Sequence, residues 1–204
     1  MIRSLYQRLG RRYVSTVLVL IFLNFYLVYL LGLGILTIYL DMSGAEFMRL
    51  VLVMVVVESG YTVSMPLLLR RRLGPVSRWL DGARDPEATL AAWRAAATVP
   101  LDWLRDLHRH WLPLPGFVAF AAYAVWELDL PVWNILILLP AIGVVTLYGI
   151  AVVYFILEQA MRPLLEDLAR QSPAATQPEA TGLSLRTRLL VTLSAISIST
   201  GVIV

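Results

Sequence analysis

The chain has 204 residues, of which 59% are hydrophobic, and its mean hydropathy of +0.73 excludes an ordinary soluble domain. Cysteine is absent, which excludes disulfides, thiolate nucleophiles and cysteine-bound zinc. All 17 basic residues are arginine and the net charge is +3, a composition typical of a GC-rich bacterial genome.

The N-terminal third of the chain contains two long apolar runs. Val14 to Leu40 carries no charge over 27 residues, and Leu50 to Leu69 carries only Glu58. A helix needs about 20 apolar residues to cross the hydrocarbon core of a bilayer. Residues 1–69 are therefore predicted to form an N-terminal segment and a first transmembrane hairpin.

Residues 70–110 are predicted to form an amphipathic cytoplasmic connection. Pro75 can start a short helix, and Asp85-Pro86 is a good start for another that runs through Ala97. Pro100 then begins a further segment. We expect these helices to lie on the membrane with their apolar faces toward lipid and their arginines toward anionic head groups. A helix packed against a partner's cytoplasmic domain would have the same pattern.

Residues 111–157 are predicted to form a second transmembrane hairpin. Its first run, Trp111 to Trp126, has an uncharged core of only 16 residues, so a re-entrant segment is the alternative to a full span. Its second run, Leu130 to Leu157, carries no charge.

The next segment, residues 158–188, is predicted to be a juxtamembrane helix and a linker. Arg162-Pro163 follows the fourth run as Pro75 follows the second, which indicates a hairpin and short helix used twice, or two independent proline-initiated helices. Residues 189–204 begin a fifth apolar run, and the series predicts a sixth span beyond it. The predicted fold is thus an all-α polytopic bundle with five spans, truncated from six.

The arginines predict the orientation of the bundle. If the connections after the second and fourth runs and the N-terminus are cytoplasmic, 16 of the 17 arginines lie inside and only Arg49 lies outside. This arrangement agrees with the positive-inside rule, and the reverse one violates it. The expected location is a bacterial plasma membrane, with a cytoplasmic N-terminus.

Two polar residues within the first two spans are the candidates for a ligand contact or a switch. Burying the Glu58 carboxylate in a membrane costs about 2.5 kcal/mol or more, so it must be protonated or hydrogen-bonded. It is either a functional group (a ligand contact, a proton site or a packing switch) or a structural one, bonded to Asn24, Tyr61 or Thr62, or to a second subunit. Asn24 is open to the same two interpretations, with the structural one favoured.

Other features indicate no further chemistry. His108 and His110 have no acidic or cysteine partner for a metal, and a surface role is favoured. Gly32 and Gly34 form a small-residue surface suited to helix packing. There is no phosphate loop, catalytic triad or nucleic-acid motif, and the arginines follow the membrane boundaries, so we expect no nucleic-acid partner.

Three juxtamembrane segments together resemble a known family. Pro75 to Leu80, Arg162-Pro163, and Leu185 to Leu190 are similar to the N-terminal membrane region of actinobacterial class III adenylate cyclases. That family has six spans, a HAMP domain and a C-terminal cyclase domain. The resemblance implies a downstream dimeric domain that makes cyclic AMP from ATP with Mg or Mn held by two aspartates. None of those residues lies in this chain, so it offers no catalytic residue and no cofactor site.

The resulting hypothesis is a membrane anchor and sensor for a cytoplasmic signalling output. Its partners would be the bilayer, a second copy of the chain and a lipid-like ligand, since the outer loops are short. A change in helix packing would pass through the juxtamembrane candidates Pro75, Arg78, Trp79, Arg162 and Pro163. Two alternatives remain, the membrane region of a sensor histidine kinase and a small transporter or scaffold without a soluble domain.

Overall fold

The computed structural model describes residues 2–105 and 114–171, and within these ranges the chain is helical, without strands. The helices are α1 (Ile2–Leu9), α2 (Tyr13–Tyr39), α3 (Gly44–Arg72), α4 (Gly74–Leu80), α5 (Pro86–Arg105), α6 (Leu114–Glu127) and α7 (Ile135–Gln171). Short 3₁₀ turns at Gly10–Arg12 and Val132–Asn134 precede α2 and α7. The all-α class predicted from the sequence is confirmed.

Three of the described helices, α2, α3 and α7, are long and apolar enough to cross a membrane. Helix α6 has 14 residues, which corresponds to about 21 Å and is shorter than the roughly 30 Å hydrocarbon core. The start of the predicted third span (111–113) and the fifth apolar run (189–204) lie outside the described residues. The membrane character is supported, and the count of five spans stays a prediction.

Two tight turns at one end of the bundle reverse the chain. Asp41, between α2 and α3, and Asp129, between α6 and α7, have φ angles of 49° and 50°, in the left-handed region that aspartate tolerates better than most residues. Helix α3 then begins with a capping box, in which the Ser43 hydroxyl accepts from the Glu46 N–H and the Glu46 side chain accepts from the Ser43 N–H. We call this end the turn end.

The opposite end, which we call the basic end, consists of α1, α4, α5 and residues 158–171 of α7. Short helices here pack on the end of α7 and on one another. Arg3 lies 3.5 Å from Glu166, the Tyr6 hydroxyl donates to Asp167, and Arg72 lies 3.8 Å from Asp102. The predicted grouping of arginines on one side of the bundle therefore holds for the described residues, where Arg49 alone lies at the turn end.

Helix α5 differs from its prediction in two respects. It is one helix from Pro86 to Arg105, with Pro100 inside it. Apolar packing before and after the proline offsets the loss of the backbone hydrogen bond that proline cannot make. Its apolar face is buried within the chain: Ala96 and Trp103 belong to the same core as Leu164 of α7. One face of α5 thus packs on its own bundle, whereas Leu90, Trp93 and Leu104, which were predicted to face the membrane, are only partly buried, so their contact with lipid stays a prediction.

The two prolines that follow the second and fourth runs also behave differently. Pro75 lies at the start of α4, as predicted. Pro163 is buried inside the continuous helix α7 and does not begin a new one. Leu164 and Leu168, fully buried beyond it, keep the helix packed against the basic end. The predicted repeat of a hairpin plus a separate short helix was therefore wrong for its second copy.

Candidate functional site

An apolar cleft lies between α2, α3, α6 and α7, on the turn-end side of the bundle. It holds about 90 Å³ of free space and is partly open at its edge. Helices α2 and α7 supply one wall and α3 and α6 the other. The lining is apolar except for the carboxyl of Glu58 and the hydroxyl of Tyr29.

Glu58 lies midway along α3, and only 1% of its surface is exposed. Neither of its carboxyl oxygens has a hydrogen-bond partner among the described residues. A buried polar group without a partner loses its hydration and gains nothing in return, which costs about 1–3 kcal/mol. Such a group in a folded protein requires an explanation. The cleft beside Glu58 is the space in which a missing hydrogen-bond partner would bind.

The structural interpretations of Glu58 fail for the partners that the structure describes. The Thr62 hydroxyl donates to the backbone carbonyl of Glu58 at 2.7 Å and also bonds the Tyr26 hydroxyl at 3.1 Å, so it does not serve the carboxyl. The side-chain amide nitrogen of Asn24 is buried and has no partner of its own. The bond to a second subunit stays a prediction; within one chain the Glu58 side chain is almost fully buried.

Tyr29 contributes the second polar group of the cleft. Its hydroxyl bonds that of Thr146 at 3.2 Å, and Thr146 donates to the carbonyl of Ile142 at 2.8 Å. This pair joins α2 to α7 beside the cleft. Sequence reasoning missed both residues, although each is a hydroxyl-bearing side chain within an uncharged run.

Glycines set the width of the cleft on both sides. A Cβ on Gly116 would lie 2.7 Å from Val57 Cγ1, so α6 and α3 approach closely next to Glu58. A Cβ on Gly32 would lie 3.1 Å from Val145 Cγ2, where α2 meets α7. Gly34 has no neighbour within 4 Å, so only one member of the predicted glycine pair takes part in packing.

At the turn end an ion pair joins the same two helices that Gly116 brings together. Arg49 of α3 lies 2.8 Å from Glu127 of α6, whose side chain is only 10% exposed. The Tyr123 hydroxyl donates to the other carboxylate oxygen at 3.0 Å. The contact fixes the direction of α6 as antiparallel to α3, since it joins the start of one to the end of the other.

The predicted signal-transmission residues all lie at the basic end. Trp79 is 1% exposed, and the Arg84 guanidinium lies 4.8 Å above its ring. Pro75 and Arg78 border a second hollow of about 290 Å³ that Asp85 and Glu87 also line. These α4 residues connect to α7 through α5, which packs on both helices.

On α7, Arg162 is exposed and Pro163 is buried. Within residues 2–105 and 114–171, no three histidine or acidic side chains lie together to bind a metal ion, and His108 and His110 fall outside those ranges. The Mg or Mn that the resemblance implies was expected in a downstream cyclase domain, and this stays a prediction. Comparison with protein-family models, curated proteins and solved structures finds no match.

Proposed function

We propose that the chain is the membrane-embedded input module of a signalling protein. The observation that carries the proposal is the unpaired Glu58 carboxyl in a cleft, one wall of which belongs to the helix that also organises the basic end. Helix α7 lines the cleft through Leu138, Ile142 and Val145 and continues without a break to Gln171. Its 37 residues span about 55 Å.

A ligand at the cleft would act on the basic end through this helix. Trp103 of α5 donates to the carbonyl of Ile150 at 3.1 Å, and Tyr13 donates to the carbonyl of Ala160 at 2.7 Å. Both bonds attach the basic end to α7 itself. A ligand that prefers one position of α7 therefore selects one arrangement of the basic end, which is the population shift that a sensor needs.

The output that we propose first is a class III adenylate cyclase, on the strength of the resemblance around Pro75 and Arg162-Pro163. In that family the catalytic domains act as a dimer, so the working unit would be a homodimer in a bacterial plasma membrane. The same kind of anchor also serves sensor histidine kinases. The two outputs differ in chemistry, because one makes cyclic AMP and the other transfers the γ-phosphoryl group of ATP to a histidine.

The test is expression from the intact gene in a bacterial strain that lacks its own adenylate cyclase. Membranes from this strain should make cyclic AMP from ATP with Mg or Mn, and Glu58→Gln should change the rate while leaving the amount of protein unchanged. Phosphoryl transfer to histidine without cyclic AMP would instead favour the kinase. Neither activity would reject the signalling function and favour a transporter or scaffold centred on Glu58.

Orientation is tested separately. Because these 204 residues contain no cysteine, a cysteine introduced among them is the only one there that a maleimide can label. Single cysteines are introduced as Ala45→Cys at the turn end and Ala83→Cys at the basic end, both exposed positions. A membrane-impermeant maleimide added to intact cells should label the first and not the second. Labelling of the second alone would reverse the proposed topology.

A further inference from the structure

The Glu58 carboxyl has no partner that the described fold can supply. Apart from Glu58 and Tyr29 the cleft is lined by apolar residues, among them Met54 and Val57 on α3 and Phe117 on α6. The one other polar group in the cleft, the Tyr29 hydroxyl, is already bonded to Thr146. None of the side chains that the structure describes serves the carboxyl, and the cleft is the space beside it in which a further partner would bind.

Water alone is a poor occupant of this space. A buried water typically makes about three hydrogen bonds, and it needs two to four polar partners. The cleft offers two unpaired oxygens of one carboxyl and one hydroxyl whose proton is already engaged, and the rest of its lining is apolar, so water filling it would remain in contact with apolar walls. A molecule that brings one hydrogen-bond donor and an apolar body satisfies the carboxyl and the apolar walls together.

The chemistry of the head group follows from the charge and depth of the site. An ionised carboxylic acid would place a second negative charge beside Glu58, and two carboxylates in one site repel each other. An ammonium group would have to leave water for a site at membrane depth, where charged groups are costly. A neutral hydroxyl donates one hydrogen bond and loses little hydration, so it fits best.

The size of the cleft limits what part of the molecule it encloses. Its free space of about 90 Å³ is smaller than the roughly 150 Å³ cavity that holds a benzene ring. It therefore takes the head group and the first few carbons, and the rest of an alkyl chain leaves through the open edge toward the bilayer. The exposed apolar surfaces of Leu136 and Leu147 on α7 show that this helix also carries a lipid-facing side.

We propose that the cleft binds a neutral amphiphile whose hydroxyl donates a hydrogen bond to Glu58 and whose apolar chain extends into the bilayer. The proposal deepens the proposed function, since it names the class of ligand for the same site. The hydroxyl could belong to a free long-chain alcohol or to the glycerol of a single-chain lipid, and both present the same donor to the carboxyl.

The test is competitive photolabelling of the purified full chain in lipid nanodiscs. The probe is 1-decanol with a diazirine in its chain, and the labelled peptides are identified by mass spectrometry. Labels should map to cleft residues such as Phe117 and Ile142. Unlabelled 1-decanol should compete at least tenfold better than decane or methyl decyl ether, because neither of these donates a hydrogen bond.

Two variants distinguish the contribution of the Glu58 carboxyl to binding from that of the apolar walls. Glu58→Leu removes the acceptor and puts an apolar group in its place, so it should fold and lose the tenfold advantage of the alcohol over the ether. Asn24→Leu is the matched control, since it removes the other unpaired polar group on the neighbouring helix without touching the cleft lining. It should leave labelling unchanged.

Several outcomes would overturn the inference. These are equal competition by the ether and the alcohol, stronger competition by decylamine than by decanol, and unchanged preference for the alcohol in Glu58→Leu. If 1-monodecanoylglycerol competes as well as decanol, the ligand source is a lipid glycerol, and if only decanol competes it is a free alcohol. Binding without any effect on either cyclic AMP synthesis or histidine phosphorylation would reject the proposed function but not the binding site.

Discussion

The close approach of Gly116 of α6 to Val57 of α3 gives a direct test of the packing at the cleft. Gly116→Ala places a Cβ 2.7 Å from Val57 Cγ1, and an ordinary contact begins at 3.4 Å, so the two atoms must separate by 0.7 Å. Val57 is β-branched and has one strongly preferred rotamer in a helix, so the helices have to move instead. Overpacking of this kind costs about 1–3 kcal/mol.

Two matched substitutions show the effect of glycine to alanine without the clash. A Cβ on Gly149 would lie 3.8 Å from Val28 Cγ1, an ordinary contact, and a Cβ on Gly34 meets nothing within 4 Å. Alanine is the better helix former by about 1 kcal/mol, so both controls should unfold at the same temperature as the parent or a higher one. Only Gly116→Ala should be destabilised.

The assay is unfolding of the purified protein in one detergent, followed by circular dichroism against temperature. The double variant Gly116→Ala with Val57→Ala removes the methyl group that clashes and should recover most of the lost stability. If Gly116→Ala behaves like Gly149→Ala, or if the second substitution recovers nothing, α3 and α6 do not approach each other this closely.

Three further substitutions test individual groups by the same unfolding assay. Glu58→Leu should raise the free energy of unfolding by about 1–3 kcal/mol, because it removes a buried carboxyl that lacks a hydrogen-bond partner. A lower free energy of unfolding would show that the carboxyl has a partner. Tyr13→Phe should lower stability by about 0.5–1.5 kcal/mol through loss of the 2.7 Å bond to the Ala160 carbonyl, and an unchanged midpoint would contradict that bond. Arg49→Gln should lower the free energy of unfolding by about 1 kcal/mol, and it should have no further effect when Glu127→Gln is already present. Additive effects in this double-mutant cycle would mean that the two residues do not interact.

Several elements of the fold follow directly from the sequence. The uncharged runs predict α2, α3 and α7, because few other structures bury more than 20 consecutive apolar residues. Pro75 predicts the start of α4, since proline favours the first turn of a helix. The isolated charge in the second run is enough by itself to make Glu58 the first candidate for function.

Other features depend on long-range packing and could not be predicted. The amphipathic pattern of α5 is the same whether the surface under it is lipid or protein, so the sequence does not indicate that Trp103 meets α7. Pro163 stays within a helix because Leu164 and Leu168, which follow it, pack in the same core as residues of α5, far away in the sequence. The cleft itself depends on how closely Gly32 and Gly116 let their helices approach, which no local pattern reports.

The attachment of the N-terminal helices to α7 has a consequence for biogenesis. Tyr13 bonds a carbonyl 147 positions later in the chain, and the apolar face of α5 packs on α7, so the core of the basic end closes only after the second hairpin has been made. Until then the apolar surface of α5 is exposed next to the first hairpin, because the helix that buries it has not yet been made, as in incompletely synthesised domains. A chain that ends before α7 therefore leaves this apolar face of α5 uncovered, and α7 completes the core of the basic end.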